Sequence, residues 1–143
     1  MMSNEKKGRV MGVDYGDVRT GIALSDEGRF LASGLATLKE NGMLKTADRV
    51  AAEAHARGAT LIVVGLPRNM DGSYGPRAEV IRAFVGYLGE RTEIPIEYWD
   101  ERLTTVEAHR ILSASDVGGK RRRAVVDTLA AEIILQSYLD AHR

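Results

Sequence analysis

Three acidic segments carry residues that could hold a divalent cation. Asp14 ends an apolar stretch, Asp100 and Glu101 end another, and Asp127 heads a stripe of small and apolar residues. Carboxylates gathered in one place repel one another and resist common ionisation unless a cation neutralises them. Mg²⁺ binds carboxylates together with substrate phosphate oxygens, and two such ions about 3.5–4 Å apart promote phosphodiester cleavage. The residue types therefore suit metal-dependent nuclease chemistry.

Each of these acids also has an ordinary structural explanation. An Asp at the end of a strand often forms a turn, and an Asp near the start of a helix interacts favourably with the helix dipole. The segment Asp100-Glu101-Arg102 could equally be a solvated run of charge. Neighbouring residues of a regular strand point to opposite faces, so Asp100 and Glu101 cannot both point into one site. The sequence pattern does not choose between them.

Several basic residues lie where they could bind a phosphate backbone. Four consecutive cations are predicted just before the helix that carries Asp127, and such a cluster beside carboxylates would attract a polyanion. One more arginine precedes the second strand, and another lies in the loop that leaves the fourth strand, where open α/β sheets bind ligands. The predicted nucleic-acid-binding residues are Arg19, Arg68, Lys120, Arg121, Arg122 and Arg123. A solvated basic loop is the alternative explanation for the last four.

The composition excludes several classes of protein. The 143 residues balance 20 Lys and Arg against 20 Asp and Glu, so attraction for a polyanion must come from local clusters. Because the chain has no cysteine, disulfide scaffolds, zinc ribbons and thiol nucleophiles are excluded. The most apolar run, residues 61–66, is far shorter than the roughly 20 residues of a membrane-spanning helix. With no secretory signal at its start, the sequence predicts a cytoplasmic protein without a membrane partner.

The hydrophobic pattern predicts the elements that must position these residues. Strands are predicted at residues 10–14, 20–25, 30–38, 60–66 and 94–99, and helices at 44–54, 80–88 and 104–114. A last helix follows the Gly118-Gly119 break, includes Val125, Leu129 and Ile133, and ends at about residue 140. Short turns join the first three strands, which should form an antiparallel meander, whereas helices separate the later strands. We expect one α/β domain over residues 1–143, with a mixed five-stranded sheet and helices on both faces.

Four motifs follow one another over nearly the whole chain, from about residue 9 to residue 139. They are Asp14-Tyr15-Gly16 with Arg19-Thr20-Gly21, Gly65-Leu66-Pro67 with Asp71-Gly72-Ser73, Asp100-Glu101-Arg102-Leu103-Thr104-Thr105, and Asp127 with Ala130-Ala131. Each motif is weak alone, but their order and spacing together are specific. In these motifs the sequence resembles the YqgF/RuvX family of bacterial proteins, which have a ribonuclease H-like fold.

This resemblance implies a cytoplasmic nuclease that processes the 5′ end of precursor 16S ribosomal RNA, although some members are described as Holliday-junction resolvases. It implies that Asp14, Glu101 and Asp127 are the catalytic, metal-binding carboxylates, with Mg²⁺ or Mn²⁺ as the cofactor. Asp100 is then a neighbour of less defined role and a further candidate ligand. The wider resolvase group places an acid near the end of the fourth strand, where this chain has Gly65-Leu66-Pro67. The number of metal ions therefore stays open.

Two alternatives from other classes also stay open at this point. A non-catalytic ribosome-assembly factor that binds RNA could keep the fold and the acids for stability. A sugar-kinase or actin-like ATPase likewise begins its phosphate loop with Asp-x-Gly after a first strand, although such enzymes clamp nucleotide between two domains. Precursor rRNA and branched DNA are both candidate substrates, and the chain could act as a monomer or as a homodimer.

Overall fold

Five strands and three helices are described by the structure, a computed structural model that covers residues 8–100 and 119–143. Of residues 119–127 it describes the backbone. The strands are β1 (Arg9–Asp14), β2 (Arg19–Ser25), β3 (Ala32–Lys39), β4 (Ala59–Leu66) and β5 (Ile96–Asp100). The helices are α1 (Met43–Ala56), α2 (Pro76–Gly89) and α3 (Gly119–Ala141). The helix predicted at residues 104–114 lies outside the described residues.

The strands form one mixed sheet in the order β3-β2-β1-β4-β5. The β1–β2 and β2–β3 pairs are antiparallel, and the β1–β4 and β4–β5 pairs are parallel. The predicted meander with added parallel strands is thus confirmed. Because β1, β4 and β5 run in the same direction, they all finish at one end of the sheet, which we call the carboxyl end.

Strand alternation divides the apolar side chains of the sheet between two cores. On one face, Met11 and Val13 of β1 pack with residues of α1 and α2, including Phe84. On the other face, Val10 of β1 packs with residues of α3, including Leu135. Helices therefore cover both faces, as predicted, which explains why β4 is apolar along nearly its whole length.

A polar seam along α3 fastens this helix to β3, an outer strand of the sheet. Its three members lie four residues apart, so they share one side of the helix. The pairs are Thr128 Oγ1 with Thr37 Oγ1 at 3.0 Å, Glu132 Oε1 with the N–H of Gly34 at 3.1 Å, and Gln136 Oε1 with the N–H of Ala32 at 2.8 Å. The contacts of Glu132 and Gln136 occupy backbone donors that an outer strand would otherwise expose. They also set the position of α3 along the sheet.

Gly12 of β1 allows α3 to pack directly on the backbone of the sheet. A Cβ atom at this position would lie 2.7 Å from the Cβ of Leu135 and 3.0 Å from the carbonyl oxygen of Ala131. A backbone carbonyl in a helix cannot move by itself, so a side chain here would displace the helix. The distance between β1 and α3 therefore depends on glycine at position 12.

Two sequence predictions are wrong in detail. The third strand begins at Ala32 rather than at residue 30, because the carboxylate of Asp26 accepts the N–H groups of Phe30 and Leu31, each at 2.8 Å. These bonds hold the two residues in the turn, and the donor at Leu31 is the largest cause of the lowered pKa of Asp26. The basic residues 120–123 do not precede the last helix but lie inside it, since α3 begins at Gly119.

The described helices include none that could cross a membrane. With 23 residues α3 has sufficient length for a bilayer, but charged and polar residues interrupt it.

Candidate active site

Asp14 ends β1 at the carboxyl end of the sheet, on the face that α3 covers. Residues two apart in a strand share a face, and both Val10 and Gly12 of β1 lie against α3. The Asp14 side chain is half-buried in this position. The first predicted ligand therefore lies where other elements can bring further side chains beside it.

The strand register places Asp14 at the same level of the sheet as the middle of α3. Asp14 pairs with Gly21 of β2, and Gly21 pairs with Thr37 of β3. Thr37 in turn meets Thr128 of α3 through the two hydroxyl groups, 3.0 Å apart. Because Thr128 directly follows Asp127, the α3 backbone at residue 127 lies beside the row that ends on Asp14. The side chain of Asp127 is outside the description.

Asp100, the last residue of β5, lies on the opposite face from Asp14. Its neighbour Trp99 points toward α3, where the indole N–H donates to Ser137 Oγ at 3.0 Å. Asp100 instead pairs with Leu66, a residue of the core on the α2 side. The alternation that the sequence pattern left undecided therefore directs Asp100 away from the face of Asp14. Glu101, the next residue, lies outside the described part of the chain.

Arg68 forms hydrogen bonds within the loop after β4 and also contacts the end of β5. Its Nε and Nη2 donate to the carbonyl oxygen of Gly72 at 2.9 and 2.6 Å, and its Nη1 lies 3.9 Å from Asp100 Oδ2. Gly72 has a φ of 89°, a left-handed conformation that favours glycine. Arg68 thus links this loop to the carboxyl end of the sheet, and its contact with a nucleic acid stays a prediction.

The turn after Asp14 is short and closely packed. Gly16 has no room for a side chain, since a Cβ atom would lie 2.1 Å from the carbonyl oxygen of Arg19. The hydroxyl of Thr20 lies 3.3 Å from both the N–H and the carbonyl oxygen of Gly16, which holds the turn closed. Arg19 begins β2 beside this turn. It is therefore at the same end of the sheet as Asp14, as the antiparallel pairing requires.

Arg77 of α2 fixes the same turn from outside, and the sequence pattern did not identify it. Its guanidinium donates to the carbonyl oxygen of Tyr15 at 2.9 Å and to Asp17 Oδ1 at 3.0 Å. The ring of Tyr15 stacks on Phe84, with 4.4 Å between ring centres. Burial raises the pKa of Tyr15, and the charge of Asp17 adds to the rise. Arg77 and Asp17 are 60 residues apart, so no local motif indicates their contact.

Among the side chains that the structure describes, those of residues 8–100 and 128–143, no three acidic or histidine groups lie closely enough to bind a metal ion. Two of the three predicted ligands, Glu101 and Asp127, have side chains outside the description, as do the basic residues 120–123. The structure thus brings the end of β1, the end of β5 and the backbone of α3 to one region. The ligand set itself stays a prediction.

A separate cavity of about 590 Å³ lies at the opposite end of the sheet. The turn after β2, the start of β4 and the end of α3 surround it, with Arg29, Leu61, Glu97 and Tyr138 among the lining residues. Of the predicted site residues that the structure describes, none lines this cavity. The carboxyl end, and not this cavity, is therefore the candidate active site.

Comparison with known proteins decides the family. The model of the family RuvX, described as Holliday junction resolvase, matches residues 8–141. This chain belongs to the RuvX family. A curated relative from Pelotomaculum thermopropionicum is 47% identical over 134 residues, covering 93% of this chain and 87% of the relative. One from Geobacillus thermodenitrificans is 45% identical over 138 residues, covering 94% and 99%. Both are named "Putative pre-16S rRNA nuclease".

Solved structures of similar fold support the architecture. RuvC of T. thermophilus in complex with a Holliday junction substrate has a TM-score of 0.58 at 15% identity, covering 94% of each chain. The fowlpox virus resolvase in complex with Holliday junction DNA has a TM-score of 0.53 at 10% identity, covering 94% of this chain and 98% of the resolvase. At these identities the likeness shows the fold, and the predicted ribonuclease H-like fold is confirmed.

Membership of the RuvX family also decides the class of activity. Both the family description and the names of the relatives are those of nucleases, so the prediction of a phosphodiester hydrolase is confirmed. This outcome favours the nuclease over the sugar-kinase and actin-like alternatives.

Proposed function

We propose that this protein is a divalent-metal-dependent nuclease that processes precursor 16S ribosomal RNA at its 5′ end. The observation that carries the proposal is that β1 and β5 finish at the same end of the sheet, where the α3 backbone lies at the level of Asp14. The names of relatives that are 47% and 45% identical supply the substrate. Because ribosome assembly takes place in the cytoplasm, a cytoplasmic location belongs to the same proposal.

Asp14, Glu101 and Asp127 would hold the cation, which we propose is Mg²⁺ or Mn²⁺. Carboxylate oxygens are the ligands that such hard cations prefer. Asp14 is half-buried on the α3 face, and residue 127 lies beside its register row. The position of Asp100 on the other face favours Glu101 as the ligand that follows β5. When bound, the cation supplies activation of a water molecule and stabilisation of the leaving oxygen.

The protein itself contributes the positions of these groups and the binding of phosphates. Arg77 holds the turn that follows Asp14, and the polar seam holds α3 at a fixed level of the sheet. Arg19 and the basic residues 120–123 would contact the phosphate backbone. Such contacts add affinity and set orientation without reading the base sequence.

The variant Asp14→Asn tests the proposed function. We expect cleavage of a precursor 16S rRNA fragment to fall at least about 100-fold, since even an outer-shell partner of a metal costs up to about that factor. Binding of the fragment should be retained, because the variant removes a metal ligand and no phosphate contact. The matched control is Asp48→Asn on α1, which removes an exposed carboxylate that pairs with Arg91. Cleavage by Asp14→Asn at the parental rate, in a preparation free of contaminating ribonuclease, refutes the proposal.

A second candidate substrate is a four-way DNA junction. The description of the matching family as Holliday junction resolvase favours it. The two substrates are compared directly by offering the same preparation a precursor rRNA fragment and a junction of equal length. Paired cuts across a junction need two active sites related by a two-fold axis, so this activity would also require a homodimer. Sedimentation of the active species distinguishes a homodimer from a monomer.

A further inference from the structure

Four side chains form an exposed patch at the carboxyl end of the sheet, on the α2 side. They are Arg68 and Tyr74 of the loop after β4, Arg82 of α2 and Tyr98 of β5, and we call them the arginine–tyrosine patch. The guanidinium carbons of Arg68 and Arg82 lie 4.8 and 4.6 Å from the centre of the Tyr74 ring. Both distances are within the range of cation–π attraction. The Tyr74 ring is held by two arginines, yet the residue remains 45% exposed.

Tyr98 extends the patch onto the last strand. It pairs with Val64, a residue of the core on the α2 side, and so lies on the same side of the sheet as α2. Burial raises the pKa of its phenol, while the charges of Arg82 and Glu79 act on it in opposite directions. Tyr98 is 41% exposed on the side of the sheet that α2 covers.

The patch lies at the same end of the sheet as the candidate active site, on the opposite face from Asp14. Arg68 reaches the carboxylate of Asp100, and Asp100 directly precedes Glu101, a proposed metal ligand. Two further apolar side chains are largely exposed in the turn and loop at this end, Val18 by 67% and Met70 by 79%. Exposed apolar groups gathered beside a site are typical of a surface that binds a ligand or partner.

The charges of the patch restrict what it could bind. Arg82 Nη1 lies 2.6 Å from Glu79 Oε2, and Arg68 Nη1 lies 3.9 Å from Asp100 Oδ2. Each arginine of the patch thus has a carboxylate beside it. Attraction for the phosphate backbone of a duplex grows with net positive charge, which this patch lacks. Aromatic rings and guanidinium planes instead bind the faces of unpaired bases, which a duplex does not offer.

We propose that the arginine–tyrosine patch binds unpaired nucleotides of the RNA strand that flanks the cleaved bond. Bases stack on Tyr98 and on the outer faces of the Arg68 and Arg82 guanidinium groups, which the Tyr74 ring beneath them keeps in place. The protein therefore prefers RNA that is single-stranded beside the cleavage position over RNA that is paired throughout. This assignment rests on the proposed function, because it specifies the part of the substrate that the same site receives.

Binding of two short RNAs to the full chain tests the patch. One is an unstructured single strand, the other is the same strand paired with its complement, and fluorescence anisotropy is measured without divalent cation. For Tyr74→Ala we expect about ten-fold weaker binding of the single strand, within the contribution of one stacked base. Binding of the duplex should change by less than about two-fold, because no net charge is removed. Tyr74→Phe keeps the ring and should bind as the parent does.

The matched control is Tyr87→Ala on α2. Tyr87 is 39% exposed, and the guanidinium carbon of Arg91 lies 6.0 Å from the centre of its ring. Tyr87 thus resembles Tyr74 in exposure and in its arginine neighbour, but it lies near the last turn of α2 and is not part of the patch. We expect parental binding of both RNAs. Equal binding by Tyr74→Ala and the parent, equal losses for single strand and duplex, or a loss as large with Tyr74→Phe overturns the proposal.

This experiment separates the patch from the proposed function. It needs no metal and no cleavage, so it can fail while Asp14→Asn still abolishes the cutting of precursor rRNA. Conversely, a parental rate of cleavage in Asp14→Asn refutes the metal site without altering the binding measurement.

Discussion

Replacing Glu101 by Gln and, separately, Asp100 by Asn tests which of two adjacent carboxylates serves the active site. The two changes are chemically matched, since each replaces a carboxylate by an amide of nearly the same shape. The Trp99 indole lies on the α3 side of the sheet, and Asp100 lies on the other side with Leu66. Because Asp100 lies on the other face from Asp14, we expect Glu101 rather than Asp100 to serve the active site.

The structure sets the size of the effect expected for Asp100→Asn. The Asp100 carboxylate is 35% exposed and lies 3.9 Å from Arg68 Nη1. An ion pair with this much exposure contributes at most about 1 kcal/mol. Since about 1.4 kcal/mol corresponds to a ten-fold change in rate, its loss should slow cleavage by no more than about five-fold. Removing a metal ligand at Glu101 should instead slow cleavage at least about 100-fold.

Single-turnover cleavage of a precursor 16S rRNA fragment, measured over a series of Mg²⁺ concentrations, separates the two variants. A lost ligand also weakens the metal site, so Glu101→Gln should need more Mg²⁺ to reach its maximum rate. The metal dependence of Asp100→Asn should match that of the parent. The assignment of faces is refuted if Asp100→Asn loses as much activity as Glu101→Gln, or if Glu101→Gln cleaves at the parental rate.

Two further predictions concern stability. Gly12→Ala should lower the free energy of unfolding by about 1–3 kcal/mol, as overpacking does, because its Cβ would meet Leu135 at 2.7 Å. Gly86→Ala on α2, which has nothing within 4 Å, should raise it by about 0.5–1 kcal/mol. Urea unfolding compares the two, and similar values contradict the close packing of α3 on β1. Asp26→Ala should destabilise the protein near neutral pH, because backbone donors lower the pKa of Asp26. A lowered pKa stabilises the fold above the ordinary pKa of an Asp, so the difference from the parent should shrink as the pH falls through the lowered value. A difference that is constant over acidic pH contradicts this explanation.

Much of the architecture could be predicted because it depends on local patterns. Short turns separate the first three apolar runs, and segments with helical spacing precede each of the last two runs. This pattern is sufficient to predict a meander followed by parallel strands. The errors arose at the ends of elements, which the hydrophobic pattern does not define. The carboxylate of Asp26 holds residues 30 and 31 out of β3. The backbone of residues 120–123 is helical although the sequence offered a loop as an alternative.

The part of the candidate site that could be predicted is the part that depends on residue type and on position within a strand or helix. An acid at the end of an apolar run, such as Asp14, is visible in the sequence. The contacts of Arg77 with Asp17 and of Arg82 with Tyr74 are not visible, because each residue alone is an ordinary surface side chain. Only the folded chain brings such pairs together.

The sequence by itself determined the element order, the family motifs and the acids that finish β1 and β5, since these depend on residue type and local spacing. The tertiary structure alone decided that Asp14 faces α3 and that Asp100 faces away from it. The direction of a strand side chain depends on which of its two faces packs against a given helix. That choice is made by contacts such as Trp99 with Ser137, between residues 38 positions apart in the chain.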